Sequence, residues 1–277
     1  MNKTALILST ALVTTRPDFP AHDRRVRQYL NGFEQVAQVC AKYAVFDVYS
    51  MDSTVENAAA LDPALFEALQ RIPGYRGSFH FWDNDLGRIN RGWGLMVQWM
   101  HALPQIADPY EYILHYEPRQ DMLNDSFFAR VAAQPGNYCC VMRDHMKLYG
   151  IPMTFEKIWT GCFCLKLRDL RGYCAAEDRR MLPPAKPLTS LQRGYRAARD
   201  RVVPAWVAGL FNEIEYDFAR YLRRHNVPYE RIAHLGVRWH FDLLERWFEM
   251  KECDFLADWT IIGESADRTC DRTCDRT

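Results

Sequence analysis

Apolar positions along the chain form short continuous runs that alternate with runs of helical spacing. A continuous apolar run over residues 4–12 predicts a buried strand. Residues 24–43 carry apolar side chains at helical spacing, which predicts an amphipathic helix, and residues 43–49 form a β-rich run. A strand, a helix and a second strand in this order predict a right-handed parallel unit, the building block of open α/β sheets.

The same alternation continues further along the chain. We expect helices over residues 63–71 and 92–106, and strands over residues 78–82, 110–115, 137–142 and 157–166. The predicted fold class is therefore α/β, with an open, mostly parallel twisted sheet flanked by helices and a helical C-terminal part.

Three successive predicted strands end in loops that carry acidic side chains. Asp52 follows the second strand, an Asp-Asn-Asp turn at residues 83–85 follows the next, and residues 116–121 follow the strand at 110–115. Because open α/β sheets bind ligands at the carboxyl ends of their strands, we expect these loops to line one site.

Composition narrows the class of protein only a little. A chain of 277 residues fits one large α/β domain, or such a domain with a small appendage. Its 35 basic and 35 acidic residues balance, so charge gives no argument for a nucleic-acid partner. The nine cysteines lack the spacing of a zinc site, which favours reduced, mostly buried thiols in a cytoplasmic protein. The first apolar run favours a strand over a secretory signal, and no run is long enough for a membrane-spanning helix.

The C-terminal third changes in character. Residues 168–201 are strongly basic, and prolines within them indicate a linker. Residues 188–206 then form a basic amphipathic segment, which either lies on an anionic membrane surface or packs on the core with its charges in water. A helix is expected over residues 211–225. Residues 267–277 repeat Asp-Arg-Thr-Cys and are predicted to be a disordered tail without function.

Several common catalytic signatures are absent. The sequence has no P-loop, no GxGxxG, no GxSxG and no HExxH. These absences disfavour a P-loop NTPase, a Rossmann dehydrogenase, an α/β-hydrolase and a zinc protease.

Four fragments, taken in their order, resemble the nucleotide-sugar-binding half of GT-A-type bacterial glycosyltransferases. They are the opening strand with Asp52 in VYSMDST, the Asn-Arg-Gly stretch at residues 90–92, YILHYEPRQD in the slot of the family's Asp-x-Asp motif, and TGCFCLKLRDL, which is similar to the strand that lines the family's acceptor site. The resemblance implies a nucleotide-sugar-binding domain over residues 1–170 and a helical region facing acceptor or membrane over residues 171–266.

The function implied by the resemblance is transfer of a sugar from a nucleotide sugar to a polysaccharide or lipid-linked acceptor. The enzyme would be cytoplasmic, with peripheral contact at the inner face of the cytoplasmic membrane. One alternative is a sugar-nucleotide nucleotidyltransferase, which the glycine-free loop at residues 14–17 disfavours. Another is a non-catalytic binding subunit on a degenerate transferase fold, because a fold alone does not imply activity.

The implied site residues fall into groups with different chemical tasks. Carboxylates serve as a base or bind the nucleoside, a helix start with an arginine binds the diphosphate, and small or aromatic residues meet the acceptor. The catalytic candidates are Glu117 and Glu213, the donor-binding candidates are Asp52, Asp83, Asp85, Asn90, Arg91, Gly92, His115 and Arg119, and the acceptor-binding candidates are Thr160, Gly161, Trp239 and His240.

The sequence departs from the family pattern at the expected metal site. Where the resemblance places Asp-x-Asp, residues 115–119 read His-Tyr-Glu-Pro-Arg. Glu117 could contribute one ligand to Mn²⁺ or Mg²⁺. Alternatively, Arg119 could neutralise the diphosphate in a metal-independent enzyme.

Overall fold

The computed structural model describes residues 3–11, 22–57, 60–80, 91–106, 110–148, 151–181, 214–241, 246–251 and 253–256. The helices within these ranges are α1 (His22–Tyr43), α2 (Pro63–Gln70), α3 (Arg91–Ala102), α4 (Ser126–Ala133), α5 (Leu167–Met181) and α6 (Ile214–Arg224). The strands are β1 (Lys3–Thr10), β2 (Phe46–Asp52), β3 (Tyr75–His80), β4 (Tyr110–Tyr116), β5 (Asp121–Met122), β6 (Tyr138–Cys139), β7 (Val141–Leu148), β8 (Ile151–Ile158), β9 (Cys162–Lys166), β10 (Glu230–Arg231), β11 (His234–Phe241), β12 (Arg246–Lys251) and β13 (Cys253–Leu256).

A seven-stranded sheet in the order β10-β6-β9-β4-β1-β2-β3 forms the centre of the structure. Strands β4, β1, β2 and β3 are parallel, and β9 runs antiparallel between β4 and β6. Thr10 pairs with Asp52, Leu8 with Tyr116, and Asp52 with His80. The carboxyl ends of β1 to β4 therefore meet at one edge, as the sequence predicted.

Helices cover both faces of this sheet. On one face Leu6 packs in a cluster with Tyr29 of α1, and on the other Ile7 packs in a cluster with Trp99 of α3 and Phe218 of α6. Both faces of β1 are thus buried, which explains why its sequence is a continuous apolar run rather than an alternating one. The predicted fold class, an α/β sheet flanked by helices, is confirmed.

The C-terminal region returns to the first part of the chain through strands that the sequence analysis did not predict. Helix α6 falls within the expected helix, but β10 pairs with β6, β11 with β5, and β13 with β7. Helix α4 and the β7–β8 hairpin were also missed. The expected strand at residues 157–166 is interrupted by a turn at Thr160 and Gly161 and divides between β8 and β9.

Two expectations from composition can be compared with the described residues. The thiols of Cys40, Cys139, Cys140, Cys162, Cys164 and Cys174 are free and buried, as predicted. None of the described helices combines the length and apolarity needed to cross a membrane. The basic amphipathic segment at residues 188–206 and the repeat tail at 267–277 lie outside the described residues.

Candidate active site

Asp52 organises the loop that follows β2. Its carboxylate accepts hydrogen bonds from Thr10 Oγ1 at 2.7 Å, from the Thr54 backbone N–H at 2.6 Å and from Thr54 Oγ1 at 2.5 Å. The side chain is 1% exposed. Asp52 therefore ties the end of β1 to the turn after β2, and the nucleoside contact predicted for it stays a prediction.

Gln98 of α3 closes the same junction from the other side. Its Nε2 donates to the Thr10 carbonyl oxygen at 2.9 Å and to Ser53 Oγ at 3.1 Å. The carboxyl end of β1 and the turn after β2 are therefore joined by the side chains of both Asp52 and Gln98.

The loop after β4 carries a charged pair. Arg119 Nε and Nη2 both donate to Glu117 Oε1, at 2.9 and 2.5 Å. The Arg119 side chain is 14% exposed and that of Glu117 is 20% exposed. The Arg119 guanidinium also lies over the Trp239 ring, 4.7 Å from its centroid, in a cation–π contact. Arg119 therefore contacts both Glu117 and Trp239, and the sequence assigned all three residues to the site.

Three contacts fix the course of this loop. A Cβ on Gly32 of α1 would lie 1.8 Å from the Pro118 carbonyl oxygen, so only glycine allows the helix to approach this closely. Asp121 accepts a hydrogen bond from Asn31 at 3.0 Å and two from Arg238, at 3.1 and 2.8 Å. The pairing of β5 with β11 thus delivers both Arg238 and the neighbouring Trp239 to the loop.

The turn before β9 packs under the same loop. The Gly161 carbonyl accepts from the Glu117 backbone N–H at 2.8 Å and from Gln120 Nε2 at 2.6 Å. Trp159 Nε1 donates to Gln120 Oε1 at 2.8 Å, and a Cβ on Gly161 would come within 2.8 Å of that indole nitrogen. Gly161 therefore supports the Glu117 loop and the neighbouring Thr160 is buried, while the acceptor contacts predicted for both residues stay a prediction.

Trp159 and Trp239 join the turn to the charged pair. Their rings pack edge to face, with centroids 5.5 Å apart. Trp239 is partly exposed, whereas Trp159 is 9% exposed. Trp239 packs on a buried ring and is itself partly exposed, so it offers an apolar surface beside the Glu117–Arg119 pair.

Helix α1 adds two residues that the sequence analysis did not single out. Tyr29 Oη accepts from the Ala11 backbone N–H at 2.8 Å, and Arg25 Nη1 donates to the Ala11 carbonyl at 2.8 Å. Burial raises the pKa of Tyr29 to about 12, although Arg119 and Arg25 act on it in the opposite direction. Tyr29 is therefore a neutral phenol that lies within the field of both guanidinium groups.

His115 lies in the core beneath the strand ends. It is 0% exposed and stacks on Phe163 with ring centroids 5.1 Å apart. Trp99 Nε1 can only donate, so its 3.2 Å bond to Nδ1 leaves the proton on Nε2, which donates to Ser9 Oγ at 3.2 Å. Burial lowers the pKa of His115 to about 3. Both ring nitrogens of His115 are thus hydrogen-bonded within the protein. The contact predicted between His115 and the nucleotide sugar stays a prediction.

Gly92 at the start of α3 has a packing role, and the donor contact predicted for residues 90–92 stays a prediction. A Cβ on Gly92 would lie 2.6 Å from Ile214 Cγ2, so this glycine lets α3 meet the start of α6. Arg91 is the first residue of α3 and His240 lies in β11, but the structure does not describe their side chains. Other predicted site residues lie outside the described residues altogether, namely Asp83, Asp85, Asn90 and Glu213.

The carboxylates of the described loop do not fit a divalent cation. Glu117 is engaged by Arg119, and Asp121 is engaged by Arg238 and Asn31. Among the described residues, no three His, Cys, Asp or Glu side chains come together in a way that could hold a metal ion. At this position the positive charge is supplied by arginine.

One further signal for the site was present in the sequence. Gln98 is a polar residue between the apolar Val97 and Trp99 on a helix rich in Trp and Met, and the structure buries it to 4% exposure. A polar side chain on the buried face of a helix needs a hydrogen-bond partner, and here the partners are the strand ends. By contrast, no local pattern marks Arg25 or Tyr29, whose position depends on how α1 packs over β1.

No protein-family model and no curated protein matches the sequence. Among solved structures, the chain is similar to 4-diphosphocytidyl-2C-methyl-D-erythritol synthase from Anaerococcus prevotii, with 9% identity, a TM-score of 0.40, and coverage of 72% of this chain and 85% of that one. It is also similar to TarS from S. aureus, with 14% identity, a TM-score of 0.28, and coverage of 52% and 36%. Both likenesses concern the architecture alone. At these scores neither supports an assignment of reaction, substrate or partner.

Proposed function

We propose that this chain is a glycosyltransferase that moves a sugar from a nucleoside-diphosphate sugar to a polysaccharide or lipid-linked acceptor. The observation that carries the proposal is the Glu117–Arg119 pair at the carboxyl end of β4, with the Arg119 guanidinium packed on the Trp239 ring. The pair lies at the edge where open α/β sheets bind their ligands. It also combines a carboxylate that can serve as a base, a cation that suits a diphosphate and an aromatic surface that suits a sugar ring.

Arg119 supplies the charge for the donor diphosphate. A guanidinium is a planar, positively charged group whose N–H donors match the geometry of phosphate oxygens. Charge-assisted hydrogen bonds to phosphate oxygens are strong, and a guanidinium clamped by a carboxylate and an indole needs little reorganisation to make them. In this proposal the donor's diphosphate lies against Arg119 and its nucleoside lies toward Asp52.

Glu117 acts on the acceptor in an inverting transfer. The acceptor hydroxyl oxygen attacks the anomeric carbon, and its proton passes to the Glu117 carboxylate. The bond between the anomeric carbon and the β-phosphate oxygen breaks, and the nucleoside diphosphate leaves with the bonding electrons. Trp239 offers the surface on which an acceptor sugar ring packs.

The acceptor and its location follow from the resemblance rather than from the described residues. A polysaccharide or a lipid-linked sugar at the inner face of the cytoplasmic membrane would suit a chain with a basic amphipathic segment near residues 193–201. Peripheral contact of that segment with anionic lipid is part of the proposal.

A turnover assay tests the proposed reaction. The wild type, Glu117→Gln and Glu111→Gln are mixed with a panel of nucleotide sugars and short lipid-linked acceptors, and released nucleoside diphosphate is measured. Glu111 lies on β4, the strand that leads to Glu117, is 42% exposed and pairs with Lys166, so its variant is a matched control. We expect Glu117→Gln to lose about 10²- to 10⁴-fold in turnover while Glu111→Gln keeps the wild-type rate.

The same assay separates the competing functions. Pyrophosphate release from a nucleoside triphosphate and a sugar phosphate would identify a nucleotidyltransferase. Donor binding without turnover for any acceptor would identify a binding subunit. Equal turnover in Glu117→Gln and wild type would remove Glu117 from the mechanism.

A further inference from the structure

The side-chain amide of Gln98 has hydrogen-bond partners at its nitrogen but none among the described residues at its oxygen. Its Nε2 bonds the Thr10 carbonyl at 2.9 Å and Ser53 Oγ at 3.1 Å. Its Oε1 is buried and has no hydrogen-bond partner among the described residues. The side chain as a whole is 4% exposed.

The orientation of this amide is set by its neighbours. The Thr10 carbonyl oxygen can only accept a hydrogen bond, so Nε2 must face it. The reversed amide would place Oε1 against that carbonyl oxygen, and both atoms are acceptors. Oε1 therefore keeps its place at the junction of β1 and β2. A buried acceptor without a partner is rare in folded proteins and lowers stability, so such an atom calls for an explanation.

Hydrogen bonds hold the residues next to Gln98 Oε1 in place. Thr10 and Ser53 flank the Asp52 network, in which the carboxylate accepts from Thr10 and Thr54 at 2.5 to 2.7 Å. Because the amide is bonded both to the end of β1 and to the turn after β2, Oε1 presents a hydrogen-bond acceptor in a defined direction. Preorganised polar groups at strand ends are a common basis of ligand specificity.

We propose that Gln98 is a specificity-determining residue whose Oε1 accepts a hydrogen bond from the nucleoside part of the donor. The donor group is either a base N–H or a ribose hydroxyl, since both offer the hydrogen that this oxygen lacks. The inference rests on the proposed use of a nucleotide sugar and goes beyond it by assigning the residue that reads the nucleoside.

Calorimetric titration with modified ligands tests this assignment. UDP, GDP, CDP and ADP are ranked first, and the tightest binder is compared with its base-N-methylated, 2′-deoxy and 3′-deoxy analogues. Removing the group that bonds Oε1 leaves that oxygen unpaired, so one analogue should bind the wild type about tenfold more weakly or worse. The identity of that analogue tells whether base or ribose is read.

The variants show whether Gln98 is responsible. In Gln98→Met the penalty for the decisive analogue should vanish, even if all ligands bind more weakly because the Nε2 bonds are lost. Gln105→Met is the matched control: Gln105 is exposed, donates to the His101 carbonyl at 2.8 Å, and its variant should keep the full penalty. If Gln98→Met does not fold, Gln98→Asn withdraws the same amide by one methylene and takes its place.

The possible failures are distinguishable. If no nucleoside diphosphate binds the wild type, the proposed function fails and this inference fails with it. If one binds and none of its analogues is penalised, or the penalty persists in Gln98→Met, the inference alone is overturned and Oε1 is a hydrated structural atom.

Discussion

His115 and Glu117 are separated by one residue at the end of β4, yet their surroundings give them different chemistry. His115 is fully buried among aromatic rings, whereas Glu117 is 20% exposed and paired with Arg119. Burial therefore keeps the imidazole neutral, while partial exposure leaves the Glu117 carboxylate within reach of a ligand. At the residue scale, the site depends on which of these positions water and ligand can enter.

The buried imidazole makes stability depend on pH in a specific direction. The pKa of His115 is about 3 in the folded chain and near 6.5 when unfolded, so between these values the unfolded state binds a proton that the folded state does not. Folding stability is then lost as the pH falls through this window. Between about pH 6 and about pH 5 the wild type should lose about 1 kcal/mol more than His115→Phe.

Urea unfolding at the two pH values measures this difference. The variant loses the bonds to Trp99 and Ser9, so we expect it to be less stable at both pH values, and the test depends only on the change with pH. Burial also lowers the pKa of His80, but that residue is present in both proteins and cancels. An identical loss in the two proteins would contradict a neutral His115.

At the scale of elements, α1 and the loop after β4 act as one unit. Gly32 allows the helix to touch the Pro118 carbonyl, and Asn31 bonds Asp121. Gly32→Ala should lower the free energy of unfolding by about 1–3 kcal/mol, because overpacking forces the two elements apart. The shift of the loop should also weaken donor binding.

A neighbouring substitution controls for changes in helix propensity. Glu34 lies on the same helix and is exposed, so Glu34→Ala should change stability by less than about 0.5 kcal/mol. Chemical denaturation and ligand titration of both variants check the prediction. Wild-type stability and affinity in Gly32→Ala would show that the contact with Pro118 is not close in solution.

At the scale of the whole molecule, the C-terminal residues complete the core of the first part. Ile214, Phe218 and Leu222 of α6 are buried against the α3 face of the sheet, and β10 extends the sheet beside β6. A chain that ends at Met181 would leave this face exposed to water. It should lose the cooperative unfolding transition that we expect of the full chain.

Circular dichroism during thermal unfolding compares the two chains directly. The full chain should show one sharp transition, and the shortened chain a broad one or none. A sharp transition in the shortened chain would mean that the first 181 residues fold alone and that α6 and β10 to β13 are accessory.

The strand ends could be predicted because the signal is local. Apolar runs followed by acidic loops place Asp52 and Glu117 at one edge once the strands are known to be parallel. The contact between Arg119 and Trp239 depends on pairing of β5 with β11, across more than a hundred residues, and no local pattern encodes it. The buried state of His115 was missed for a related reason, since a histidine at a strand end reads the same whether a helix covers it or not.

The proposed reaction depends on a nucleotide-sugar donor whose diphosphate binds Arg119. The most direct test is calorimetric titration, in the presence of EDTA, with the nucleotide sugar that the turnover assay selects. The wild type is compared with Arg119→Gln. The control is Arg76→Gln, which breaks an exposed ion pair with Asp47. We predict saturable binding to the wild type and to Arg76→Gln despite the chelator, and about tenfold weaker binding or worse to Arg119→Gln. Binding that is absent with EDTA, or that is unchanged in Arg119→Gln, would contradict the account.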